Sequence, residues 1–197
     1  MKTFEESDLI FSFDRSWVVK KYDSHRYYKG LSGVGLKGVD FIALNIKENL
    51  AVFFEVKNYR TRYHRDTGKP IRPIPKPPEA LAQSLSDKVS DTLSAVDAVI
   101  TYYRKSFLYR WFLPFIIRSP FYHYDRFFWT KVGRCIRDHH QLQVILWVEL
   151  EEVDNVYFKC LADLVNDLLG DEKIIVSLAD SRSHPFSNSM FVDYSVS

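Results

Sequence analysis

Apolar positions along the chain switch between strand and helix periods four times. Residues 10–22 are rich in aromatic and β-branched types around a turn-like Asp14, Arg15 and Ser16, which predicts one or two short strands. Gly30, Gly33, Gly35 and Gly38 then mark a loop. Residues 39–46 and 50–57 are dense apolar runs, and the Lys47, Glu48 and Asn49 between them predict a β-hairpin with a three-residue connection. Residues 60–78 hold five prolines and six Lys/Arg, a basic Pro-rich loop that cannot be a sheet interior. From Pro78 the period lengthens: Leu81, Leu85, Val89, Leu93, Val96, Ile100 and Tyr103 recur every three or four residues, the apolar stripe of a long helix.

An aromatic block follows, with 13 aromatics in residues 102–129, read as further helix broken at Pro114 and Pro120. The chain closes on a strand over residues 142–150, a helix over 156–169 capped by Gly170, and a strand over 173–179. That order predicts a parallel βαβ unit. Together these elements predict a mixed α/β fold: one central mixed sheet flanked by helices, with residues 106–140 as an aromatic-rich helical insertion. No linker or internal repeat divides residues 1–197, so a single domain is expected.

Composition changes this picture in one respect. The net charge of +2 hides a strong segmental asymmetry. Residues 15–72 carry 13 Lys/Arg against 5 Asp/Glu, residues 102–140 carry 8 against 2, and residues 141–197 carry 3 against 10. A basic face of this kind suits a polyanion such as nucleic acid. The longest stretch free of charged residues is ten, well short of the ~20 that a membrane helix needs. The acidic start lacks a secretory pattern, and a cytoplasmic protein is expected. Cys135 and Cys160 have neither the spacing nor the context of a disulfide framework, and are expected as small buried hydrophobes. Cys135 with His139 and His140 is one edge of a zinc site that lacks its other ligands. The aromatic block could be core, a dimer interface or a membrane-facing surface.

The hairpin carries the candidate chemistry. Folding at residues 47–49 brings Asp40 opposite Glu55 or Lys57, and strand alternation puts Glu55 and Lys57 on one face. Charges among Phe41, Ile42, Phe53 and Phe54 are costly unless paired or holding a metal. Asp40, Glu55 and the carbonyl of Val56 could hold a hard divalent cation, with Lys57 orienting or deprotonating a water.

The segment from Gly38 to Leu44, with Asp40 at its centre, followed by Glu55, Val56 and Lys57, resembles the Asp and Glu-x-Lys signature of the PD-(D/E)xK nuclease superfamily, the restriction-endonuclease-like fold. The resemblance implies Asp40 and Glu55 as ligands of Mg²⁺ or Mn²⁺, Lys57 as the catalytic lysine, and nucleic acid, DNA first, as substrate. It covers about 22 residues firmly. Many members add a polar residue from the next helix, for which Gln83 or Lys88 stands here. They also add a glutamate from a preceding helix, a role open to Glu5 or Glu6 if the first residues are helical, or to Asp23 beside His25. Val39 replaces the family's proline. Phosphate contacts fall to Lys29, Lys37, Arg60 and Arg62, which flank the hairpin. The alternative is an inactive nuclease-fold module that binds nucleic acid or a protein, with the aromatic block as its dimer or partner interface.

Overall fold

The structure is a computed structural model that describes residues 1–22, 25, 36–64, 66–106, 111–112, 115, 123–138, 141–152, 154–170 and 174–195. Its strands are β1 (Lys2–Glu6), β2 (Leu9–Phe13), β3 (Trp17–Lys21), β4 (Phe41–Asn45), β5 (Leu50–Asn58), β6 (Arg62–Tyr63), β7 (Pro70–Ile71), β8 (Leu142–Glu149), β9 (Ile174–Ala179) and β10 (Met190–Tyr194). Its helices are α1 (Pro78–Arg104), α2 (Asp125–Arg137) and α3 (Asn155–Leu169).

The central sheet has the order β3-β4-β5-β8-β9, with β3, β4 and β5 antiparallel and β5, β8 and β9 parallel. The expected hairpin and βαβ unit therefore share one mixed sheet. The hairpin connection is one residue longer than expected, because Asn45 pairs with Leu50. Asn45 Oδ1 accepts from the amides of Lys47 and Glu48, and Asn49 takes a left-handed φ of 55°, a conformation that asparagine tolerates.

The three helices named here pack on one face. The α1 stripe of Leu81, Leu85, Val89, Val96 and Ile100 meets Ile42, Leu44, Phe53, Val144 and Leu146 of the sheet. Asp154 caps α3 by accepting from the amides of Val156 and Tyr157.

Among the described residues, the opposite face carries no helix. A second, antiparallel sheet of order β1-β2-β10 covers it, and Leu9, Phe11, Phe13 and Met190 pack against Phe41, Phe54, Ile145 and Trp147. Covered on both faces, β5 and β8 read as near-continuous apolar runs. Sequence patterning shows neither β1 nor β10. Their strand β2 makes a tight hairpin with β1 through Ser7 and Asp8, both at positive φ, and pairs with β10 from the far end of the chain.

The basic loop over residues 60–78 is not wholly irregular. Arg62 and Tyr63 pair with Pro70 and Ile71 in a two-stranded ribbon, too short to leave a periodic signal and placing proline at an edge. In the aromatic block, Phe128, Trp129 and Val132 of α2 are core, whereas Trp111, Phe112 and Phe115 are exposed; Pro114, Pro120, His139 and His140 lie outside the described residues. Cys135 is fully buried and its thiol donates to the Asn49 carbonyl at 3.4 Å, while Cys160 is only half-buried. No described helix is long and apolar enough to cross a membrane.

Trp147 joins the two sheets: its ring meets Phe11 at 5.2 Å and its indole N–H donates to Glu149 at 2.9 Å. Trp147→Ala empties this position and is expected to lower stability by roughly 3–5 kcal/mol in urea unfolding. A loss under about 1 kcal/mol would show that the small sheet is not packed as described.

A candidate active site at the end of the central sheet

Phe41 pairs with Phe54, so the next rung sets Asp40 opposite Glu55, resolving the two registers open in the sequence. Asp40 is held at both backbone groups, donating to the Phe54 carbonyl at 2.9 Å and accepting from Tyr22 N at 2.8 Å. Its Oδ2 accepts from Val56 N at 2.7 Å, extending the ladder by a side chain. The segment entering it is fixed from α1. Val39 N donates to Thr92 Oγ1 at 3.2 Å, and Lys37 N to Asp91 Oδ2 at 2.8 Å.

Alternation places Asp40, Glu55 and Lys57 on the helix-covered face, in phase with Ile42 and Phe53. The Glu55 side chain is 1% exposed. Lys57 Nζ donates to Glu55 Oε1 at 2.5 Å and to the Val56 carbonyl at 3.0 Å. Lys88 Nζ comes down from α1 to both Glu55 oxygens at 2.7 and 2.9 Å, and stands 3.8 Å from Asp40 Oδ1. Two carboxylates and two ammoniums thus form one partly buried cluster at the end of the sheet.

The balance is uneven. Burial first, and then the charge of Glu55, push the Asp40 carboxyl up to about 6, against the pull of Lys88, the Val56 amide and Lys57. Burial disfavours the charged form of Lys57, but Glu55's charge and hydrogen bond, with Asp40, outweigh it and hold its pKa above the ordinary lysine value.

Of the other expected residues, Lys88 is at the site and Gln83 is not. Gln83 is exposed and donates to Asp87 at 2.8 Å. Glu6 is excluded as a ligand by the fold: residues 2–6 form a strand rather than a helix, and Glu6 pairs with Lys21 at 2.7 Å. Lys21 shares its face with Trp17 and Val19, so Glu6 lies on the far side of the sheet from Asp40. Glu5 on the same strand is exposed. His25 stands 3.4 Å from Asp125, whereas Asp23 and Lys29 lie outside the described residues. Arg60 stacks over Tyr194, 4.4 Å from the ring centroid, and Arg62 pairs with Asp8 at 3.0 Å. Both line a cavity of about 240 Å³ with Asn58. Lys37 is exposed.

Thr92 and Asp91 were not singled out from the sequence. A signal existed: Lys88 and Thr92, four residues apart, interrupt the apolar face of α1 between Leu85 and Val96.

Asp40, Glu55 and the Val56 carbonyl offer hard oxygen donors from adjacent strands, a set that suits Mg²⁺ or Mn²⁺ completed by waters. Among the described residues, no third acidic, histidine or cysteine side chain makes a metal-binding group with them. Burial, and then the charge of Glu55, disfavour the ionised form of Asp40, and a cation beside both carboxylates would favour it. No protein-family model matches this chain, no curated protein matches it, and no solved structure matches it.

A carboxyl whose pKa rises on folding, here from 3.8 to about 6, contributes stability that is complete below pH 3.8 and lost as pH rises through about 6. Asp40→Asn keeps the side-chain acceptor and removes that loss. The variant should gain on the wild type by up to about 3 kcal/mol between pH 4 and 7.5 in metal-free urea unfolding. A difference that is flat across this window would contradict the environment assigned to Asp40.

Proposed function

We propose that this protein is a metal-dependent nuclease of the restriction-endonuclease-like fold, hydrolysing phosphodiester bonds in nucleic acid, DNA first. The observation that carries this is the convergence of Asp40, Glu55 and Lys57 on one face at the end of the β4–β5 hairpin, with β8 parallel beside it. Asp40, Glu55 and the Val56 carbonyl would hold Mg²⁺ or Mn²⁺. When bound, the ion supplies an acidified water and positive charge opposite the phosphate oxygens.

Lys57 has a defined part in this scheme. From beside Glu55 and the Val56 carbonyl it would orient or deprotonate the attacking water and offset charge on a phosphate oxygen. Glu55 orients that ammonium through the 2.5 Å contact. Val56 N fixes one Asp40 oxygen, leaving the other toward Lys88.

A second class of function is favoured by one observation. Two ammoniums already balance the two carboxylates, which is what a silent nuclease-fold module that binds nucleic acid or a protein partner would also need.

Incubation with plasmid and single-stranded DNA in Mg²⁺ or Mn²⁺ separates the two. The nuclease is expected to cut, and Lys57→Ala and Asp40→Ala to slow cutting by roughly 10²-fold or more while keeping the fold. Cutting that survives unchanged in both variants contradicts this site. DNA retention in a gel-shift assay, with no cutting under any divalent ion, supports the silent module.

A further inference from the structure

Lys88 reaches the site from a helix, and its geometry differs from that of Lys57. Lys57 meets Oε1 of Glu55 and the Val56 carbonyl, both within its own strand. Lys88 spans both oxygens of Glu55, at 2.7 and 2.9 Å, and stands 3.8 Å from Asp40 Oδ1. It therefore bridges the two carboxylates, where a bridging cation would be held. Its side chain is 20% exposed, and its four-carbon stem can carry the ammonium out to solvent without moving α1.

We propose that Lys88 is an internal counter-ion that fills the divalent position and leaves it when a divalent cation enters, so that this residue sets the site's affinity for Mg²⁺ or Mn²⁺. The proposal rests on the metal-binding role given above to Asp40 and Glu55. Charge counting favours the exchange. With Lys57 and Lys88 both in place the two carboxylates are balanced, and a divalent ion added beside them would put three cationic groups on two anions. Lys57 reaches one Glu55 oxygen and its neighbour's carbonyl from within its own strand and forms no ion pair with Asp40 among the described residues, so it does not stand between the two carboxylates. Among the described residues, Lys88 is held at this end by the oxygens of both carboxylates, and it occupies the gap between them that the ion would take. Thr92 accounts for the backbone: its hydroxyl donates to the Lys88 carbonyl at 2.7 Å and accepts from Val39 N, so the helix and the Asp40 segment remain in register while the side chain swings.

The test measures Mn²⁺ binding directly, by the fall of the free-ion electron paramagnetic resonance signal, in the full chain, Lys88→Gln and Asp40→Ala. Lys88→Gln removes the competing charge and should bind Mn²⁺ about tenfold more tightly than the wild type, while Asp40→Ala should lose binding. Equal affinity in the wild type and Lys88→Gln overturns the proposal and leaves the metal site standing. Absence of Mn²⁺ binding in both overturns the metal site and the proposal with it. A second measurement needs no variant at Lys88. Amine labelling of the wild type, read by mass spectrometry, should rise severalfold at Lys88 when Mn²⁺ saturates the protein, relative to exposed Lys76. Labelling of Lys88 that does not change with Mn²⁺ overturns the proposal.

Discussion

A carboxylate at the end of a strand covered on both faces has to find compensating charge inside the protein, and Glu55 is such a group. Its side chain is 1% exposed and lies in an extended apolar run. Two ammoniums satisfy it, and each imposes a constraint on the fold. Lys57, two residues on, keeps β5 extended to its end so that both side chains share a face. Lys88 requires the middle of α1 to cross that end of the sheet. With α1 there, Thr92 and Asp91 receive the amides of Val39 and Lys37, and the chain enters β4 in the register that brings Asp40 opposite Glu55. The candidate site and the seating of the helix layer are thus one arrangement.

Glu149 offers a contrast at the same end of the sheet. It is equally buried, on β8, but in the phase that faces the small sheet. Four neutral donors satisfy it: the indole of Trp147, the amide and hydroxyl of Ser181, and the phenol of Tyr194. These donors come from segments that must stay together for the second sheet to form, so Glu149 reads as a structural clamp. Glu55 is held by ammoniums on flexible stems, which can be exchanged for another cation. Burial alone does not separate the two residues; the chemistry of their partners does.

The part of the site that lies close in sequence was legible. Alternation around a short connection sets Asp40, Glu55 and Lys57 on one face, and the apolar runs of β5 and β8 announce a strand buried on both sides. The βαβ unit was legible for the same local reason. The small sheet was not, because β10 lies in a polar stretch and pairs with β2 across nearly the whole chain, a choice that no local pattern records. The strand in place of an N-terminal helix is also why Glu6 lies on the wrong face. Lys88 could be named but not placed, since its phase depends on where α1 crosses the sheet. Segmental charge overstated the free basic surface: Lys20, Lys21, Lys57 and Arg62 are spent on Asp125, Glu6, Glu55 and Asp8.

The central claim is that Asp40 and Glu55 form one cation-binding place rather than two independent ion pairs. Anomalous diffraction from crystals soaked in Mn²⁺, recorded near the manganese edge, tests it most directly. The account predicts a single anomalous peak between the two carboxylates, within ligand distance of both and of the Val56 carbonyl. Crystals that take up Mn²⁺ elsewhere, with Lys88 still bridging Glu55 and no peak between the carboxylates, would contradict it.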